Sequence, residues 1–221
     1  MSIEDRIGYR SATPADLPGI LAVEQSWREE SRAGADKFQA RLARFPQGFF
    51  VATLDEGGGQ KIIATATSMP VRYDPAHLDH FTSWDAVTNN GYLFEHVDAA
   101  DCNALYVVSG VIDHAYRGLN VFGPGILMIV KLAAALGMRY TLGGAVIPGY
   151  QRYRQKHGET DAYQYCITRV GKHLADPLLA LYESIGFSVP DRQHVIKGYY
   201  PDDASRNYAA LVVRDLQRTP L

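Results

Sequence analysis

Runs of β-branched and aromatic residues alternate along the chain with segments of helical period, and the breaks between them are strongly marked. Arg6 to Ser11 reads as a first strand. Thr13-Pro14-Ala15-Asp16 then starts a helix: Thr13 can cap, Pro14 suits the first helical position and Asp16 can complete the cap. Leu17, Ile20, Leu21, Glu24 and Trp27 continue at helical spacing. A second short helix is expected over Asp36 to Phe45, with Phe38, Leu42 and Phe45 on one face, ended by Pro46-Gln47-Gly48. Phe49 to Leu54 and Lys61 to Val71 read as strands joined through the turn Asp55-Glu56-Gly57-Gly58-Gly59.

From Arg72 to Asn103 the pattern becomes irregular, with loops at Pro75, Asn89-Asn90-Gly91 and Asp98 to Asp101. Phe81, Trp84, Tyr92 and Phe94 lie within it; such a segment either builds a site or is pinned to the core by its aromatics. Leu105 to Asp113 reads as a buried central strand, followed by a glycine-bearing turn with Arg117, then a helix over Val121 to Leu136 closed by Gly137. Strand, tight turn and helix start together suit an anion, because the first amides of a helix lack internal partners and its dipole favours negative charge there. Arg139 to Ile147 is the next strand, expected to be broken at Gly143-Gly144. Pro148 to Ala175 reads as a second irregular insertion, carrying Tyr150, Tyr153, Tyr163 and Tyr165. Asp176 and Pro177 open a helix that runs from Leu178 to Ser184 and stops at Gly186. Strands over about Val189 to Tyr199 and Tyr208 to Arg214 end the chain, separated by Pro201-Asp202-Asp203. The order β-α-α-β-β-β-α-β-α-β-β predicts an α/β (α+β) fold whose mixed sheet carries helices on both faces.

Composition narrows the function. A chain of 221 residues suits one domain, 1–221, with insertions at about 72–103 and 148–175. Net charge is −2 with no block of like charges, so no nucleic-acid face is expected. Cys102 and Cys166 have neither disulfide-framework nor zinc spacing, and read as reduced thiols of a cytoplasmic protein with no metal. No apolar run follows Met1, and the most apolar helix, Gly125 to Met138, is too short for a bilayer and carries Lys131, so no membrane partner is expected.

The element order, the turn Tyr116-Arg117-Gly118 and the later Leu181-Tyr182-Glu183-Ser184-Ile185-Gly186-Phe187 resemble the GCN5-related N-acetyltransferase (GNAT) superfamily over essentially the whole chain. Gly144-Ala145-Val146-Ile147-Pro148-Gly149-Tyr150, Asp176-Pro177 and Tyr200-Pro201-Asp202-Asp203 are similar to a subgroup found free-standing, fused to carbon-nitrogen hydrolases, or embedded in polyketide synthase loading modules; Arg44-Phe45-Pro46-Gln47-Gly48 also resembles the polyketide-associated members. The resemblance implies a mostly antiparallel sheet of about seven strands. It implies acetyl-CoA or another acyl-CoA as cosubstrate, with Val108, Ser109, Gly110, Val111 and Ile112 offering backbone groups to its pantetheine arm. Arg117, Gly118, Leu119, Asn120, Val121, Phe122 and Gly123 would hold its pyrophosphate. Asn120 and Phe122 stand where the family usually has small residues. Phe122 either obstructs the cradle or turns its ring inward and leaves only its amide facing the ligand.

The implied reaction is acyl transfer to the amine of a small molecule or peptide. It requires a neutral amine, stabilisation of a tetrahedral oxyanion and protonation of the leaving thiolate. By family position Tyr182 is the general acid. Candidates for the base are Asp85, Glu95, His96 and His173, while His114 reads as a loop residue beside the cofactor. Two alternatives stay open. In one, a polyketide-type enzyme decarboxylates an acyl-CoA or passes its acyl group to an acyl carrier protein. There the family expects a threonine and a histidine acting together: His173 matches the histidine, but the threonine position falls near Ala145, with Thr141 earlier on the strand. In the other, the chain is a non-catalytic CoA-binding module. A monomer and a homodimer are both compatible with the sequence.

Overall fold

The protein is described by a computed structural model covering residues 2–97 and 99–219; Asp98, one end of the Asp98–Asp101 loop, lies outside the described residues. Strand β1 (Ile7–Ser11) leads through a 3-10 turn (Pro14–Asp16) into α1 (Leu17–Glu24) and α2 (Ala35–Arg44). The expected start signal is real: the Asp16 carboxylate accepts from the Thr13 amide at 2.7 Å and its hydroxyl at 2.8 Å. Strands β2 (Phe49–Asp55) and β3 (Gln60–Val71) form the predicted hairpin. After a stretch whose described residues form the five-residue α3 (Trp84–Thr88) and a 3-10 turn (Ala99–Asp101), β4 (Ala104–Ile112) passes through the turn into α4 (Phe122–Ala135) and β5 (Tyr140–Val146). Then come α5 (Tyr150–His157), α6 (Ala162–Ile167), the two-residue strands β6 (Arg169–Val170) and β7 (His173–Leu174), α7 (Pro177–Ser184), β8 (Val195–Lys197) and β9 (Tyr208–Asp215).

The main sheet has seven strands in the order β1-β2-β3-β4-β5-β9-β8. All its pairings are antiparallel except β4 with β5, which the α4 crossover makes parallel. Alternation along β2 sorts the core. Phe49 and Val51 pack with Ile20 and Val23 of α1 and Phe38 of α2, while Phe50 packs in the cluster of α4 residues Ile126, Ile129 and Val130. Helices therefore cover both faces, as the element order requires.

Three readings of the chain need correction. β5 runs unbroken through Gly143-Gly144. Both glycines are there for packing: a Cβ on Gly143 would stand 3.1 Å from the Val107 Cβ, and one on Gly144 only 2.2 Å from the Tyr199 ring. The segment 148–175 is largely helical, with Tyr150, Tyr153 and Tyr165 packed on one another at ring separations of 5.3 and 5.0 Å. The strand expected over Val189 to Tyr199 shrinks to Val195–Lys197, because Pro190 and the Asp191-capped 3-10 turn (Arg192–His194) take its first half.

Candidate active site

The site begins with a fault in strand pairing. Between β3 and β4 the register steps from Thr67↔Ser109 to Ser68↔Val107, leaving Val108 as an extra, bulged residue. Between β4 and β5 pairing runs from Ala104↔Tyr140 to Val107↔Gly143 and then stops, although β4 continues to Ile112 and β5 to Val146. The two parallel strands part like a fork from the bulge onward. The buried Tyr199 fills the crotch beside Gly144, its hydroxyl bonded to that of Tyr106, and Tyr106 Oη accepts the Gly144 amide at 3.1 Å. A cleft of about 790 Å³ opens at the fork, lined by Val107, Val108, Ser109 and Gly110 on one side and Gly144, Ala145 and Val146 on the other.

Tyr182 arrives at this cleft from α7, an arrangement set by Asp176. The fully buried Asp176 carboxylate accepts from the Leu178 and Leu179 amides at 3.0 and 3.2 Å, and from the Gly149 amide and Tyr165 hydroxyl at 3.0 Å each. One side chain thus caps α7 and ties it to the loop after β5. Tyr182 is 6% exposed, its ring edge-on to Phe122 and Phe187. Its hydroxyl has no hydrogen-bond partner among the described residues. Burial, then the nearby Tyr106, raises its pKa above that of an ordinary phenol. Burial likewise pushes Tyr106 up to about 12. The phenols at this end of the cleft are therefore protonated proton donors.

At the start of α4, backbone hydrogen bonds satisfy the amides of Leu119 and Val121. The amides of Gly118, Asn120, Phe122 and Gly123 make none among the described residues. Gly118 has φ +95°, with nothing within 4 Å of where a Cβ would stand, so the backbone here is open to an approaching group. Arg117 is exposed beside it. Phe122 turns its ring toward β4, 3.3 Å from where a Gly110 Cβ would stand, where it lines the cleft, and its amide is not covered by that ring. These residues fit a pyrophosphate, which needs free amides, a helix start and a cation.

The other expected site residues are not all brought together. Of the base candidates only Asp85 lines the cleft. Glu95 is exposed and paired with Arg44 at 2.5 Å, and His173 and His96 are exposed and do not line the cleft. Thr141 is fully buried with an unpartnered hydroxyl, while Ala145 lines the cleft. Tyr150, Tyr153, Tyr163 and Tyr165 do not line it either, whereas Trp84 does. The Trp84 indole donates to the Val108 carbonyl at 2.8 Å and its ring stands edge-on to Tyr200. Glu24, read from the sequence only as a position of the first helix, and Arg41, given no role there, line the cleft as well. Arg41 carries a signal that was there to find: it stands three residues after Phe38, on the apolar face of α2.

A forked parallel pair at a bulge, free amides at the following helix start and a tyrosine arriving from a later helix define one architecture. The chain has the fold of the GCN5-related N-acetyltransferases. No family model matches its sequence, and no curated protein matches it. Among solved structures, the GNAT fold is shared with the loading GNATL domain of CurA from Lyngbya majuscula, at 19% identity and TM-score 0.76, over 96% of this chain and 98% of that one. It is shared with the GphF GNAT-like decarboxylase in complex with isobutyryl-CoA, at 23% identity and TM-score 0.72, over 95% and 99%. The ribosomal-protein-S18-alanine N-acetyltransferase from Escherichia coli matches at 15% identity and TM-score 0.54, over 95% and 93%. Among the described residues no group of side chains could hold a metal ion, and no helix is long and apolar enough to cross a membrane.

Proposed function

We propose that the protein is an acyl-CoA-dependent N-acyltransferase, moving an acetyl group from acetyl-CoA to the amine of a small molecule or peptide. The observation that carries this reading is the forked cleft, with free helix-start amides at one end and a protonated, unpartnered Tyr182 hydroxyl on its wall. In this reading the amides of Gly118, Asn120, Phe122 and Gly123, with Arg117, hold the pyrophosphate. The β4 edge beyond Val107 lies alongside the pantetheine, and CoA supplies the activated thioester when bound. Tyr182 gives its proton to the departing sulfur. Glu24, Glu30, Asp85 and Asp203 are the carboxylates that line the cleft, and of these Glu24 is the one whose pKa burial raises toward taking the proton of the attacking amine.

Thermal unfolding with CoA and acetyl-CoA tests the reading. At about 100 times its dissociation constant a ligand of the native state stabilises it by about 2.7 kcal/mol. Absence of any shift would sink the proposal. The likeness to CurA and GphF supports a second reading, as an acyl-CoA decarboxylase or an S-acyltransferase serving a carrier protein. Against it stands Ala145, which lines the cleft without a hydroxyl. Following free thiol and CO₂ release from acetyl-, malonyl- and methylmalonyl-CoA separates the two. CoA-dependent stabilisation without turnover would mark a binding module.

A further inference from the structure

Arg41 is 2% exposed, yet its side chain lines the cleft. Its Nε donates to the Gly91 carbonyl at 2.8 Å, its Nη1 to the Ser109 hydroxyl at 3.3 Å, and its guanidinium stacks over Phe38 at 5.0 Å. Nη2 has no hydrogen-bond partner, and no carboxylate lies within ion-pair distance of Arg41 among the described residues. A buried guanidinium with an unused N–H edge is costly unless something completes it. The surrounding charge points the same way. The buried Glu24 interacts with Arg41, Arg32 and Lys37, and its carboxylate accepts the Ala33 amide at 2.7 Å. Arg32 donates to the Trp27 and Gln25 carbonyls, and Lys37 to the Asn90 side chain at 3.2 Å. On this wall Arg28, Arg32, Lys37 and Arg41 line the cleft against Glu24 and Glu30, while Asp85 and Asp203 lie elsewhere on its lining. The wall belongs to α1, α2 and the segment between them; Ser26 of that segment also meets the turn before α4, its hydroxyl accepting the His114 amide at 3.0 Å and its carbonyl accepting from Arg117 Nη2 at 3.4 Å.

We propose that Arg41, with the Ser109 hydroxyl, binds a carboxylate carried by the acceptor, so that the preferred acceptor is an amino acid or another amine bearing a carboxylate close to its nitrogen. The planar guanidinium edge matches the two oxygens of a carboxylate, and the hydroxyl adds a donor beside it. Ser109 lies next to Gly110 on the strand that flanks the reacting centre, so the carboxylate sits close to the attacking nitrogen. The proposal rests on the acyl-transfer reading of the cleft.

The test compares alanine, methionine and phenylalanine with their primary amides in thiol release from acetyl-CoA. The acids are expected to lead by ~10- to 100-fold in kcat/KM, as for a charge-assisted pair, although the amides carry the more easily deprotonated amine. Arg41→Gln should bring the ratio near one, and Arg41→Lys should restore part of it, because a lone ammonium supplies charge without the fork. Equal or faster reaction of the amides with the unaltered protein, or a preference that survives Arg41→Gln, overturns the proposal. So does an Arg41→Gln variant that loses affinity for malonyl-CoA over acetyl-CoA while keeping the acid-over-amide ratio, since Arg41 would then serve the acyl chain. If Arg41→Gln does not fold, the acid–amide comparison on the unaltered protein decides alone. If no amine is turned over, thermal stabilisation by each acid and its amide, with and without CoA, replaces the rates, and equal stabilisation overturns the proposal. Loss of the CoA shift itself counts against the acyl-transfer reading, and the acid–amide comparison without CoA remains readable.

Discussion

Replacing Tyr182 by phenylalanine separates catalytic from structural roles with unusual clarity, because the hydroxyl does nothing visible for the fold. The ring is buried against Phe122 and Phe187, and phenylalanine keeps both edge-on contacts. The hydroxyl has no partner among the described residues, so its removal breaks no hydrogen bond and leaves no buried group unpaired. Stability measured by urea unfolding should therefore change by no more than about 0.5 kcal/mol. Turnover should not survive so well. A positioned acid that protonates a leaving group contributes roughly 10²- to 10⁴-fold, equal to about 2.7–5.4 kcal/mol of barrier at 1.36 kcal/mol per decade.

The assay is initial-rate thiol release from acetyl-CoA with an amine acceptor, run beside the urea curves on the same preparation. Because burial raises the Tyr182 pKa, the phenol stays protonated past the usual tyrosine value, and no alkaline loss of turnover below about pH 10 should trace to it. A variant with unchanged turnover removes Tyr182 from the mechanism. A variant that loses more than ~1 kcal/mol of stability shows instead that the hydroxyl has a structural partner.

Gly144→Ala should destabilise the protein by about 1–3 kcal/mol, as overpacking does in a filled core, since its Cβ would stand 2.2 Å from Cε1 and 2.5 Å from Cζ of the buried Tyr199; a lower urea midpoint together with slower turnover is the expected result, and an unchanged midpoint would show that Tyr199 moves freely. Gly118→Ala should cost about 1–2 kcal/mol from the left-handed backbone alone, because φ is +95° and space is open, and should shrink the thermal shift given by CoA. Asp16, held at about 2 by the Arg10 guanidinium and then by Thr13 donors, should make stability acid-sensitive. A folded pKa below the unfolded value of about 3.9 gives a contribution present above that value and lost as pH falls through the folded one. Urea midpoints of the native protein and Asp16→Asn should therefore converge between about pH 4 and pH 2; a constant gap would exclude the Arg10–Asp16 pair as its source.

What the sequence showed and what it hid divide along one physical line. Signals confined to a few residues were legible: Thr13 with Asp16, the break at Pro46-Gln47-Gly48, the glycine turn between β2 and β3, the strand-turn-helix ahead of Gly137, and Asp176 as a cap. Each is a local hydrogen bond or backbone preference, written within a turn or so of the residue that makes it. Gly143-Gly144 misled because glycine in a strand has two meanings, a break or a close approach, and only the approach of Tyr199 from a distant part of the chain decides between them. The insertion at 148–175 misled in the same way: read as irregular, it is largely helical, and Tyr150, Tyr153 and Tyr165 pack on one another there.

The cleft wall was the least legible part for the same reason. The partners of Arg41 lie 50 and 68 residues away, at Gly91 and Ser109. The Trp84 indole reaches Val108 across 24 residues. Nothing in a local window names those partners. What a window does show is a conflict: an arginine in the stripe of Phe38, Leu42 and Phe45, where an amphipathic helix should carry only apolar groups. A charge on a core face must find a counterpart or be driven out of the fold. Arg41 stays, bonded to a carbonyl and a hydroxyl but to no carboxylate, and that unfinished pairing at the edge of the cleft is the feature of the wall that calls for a substrate group to complete it.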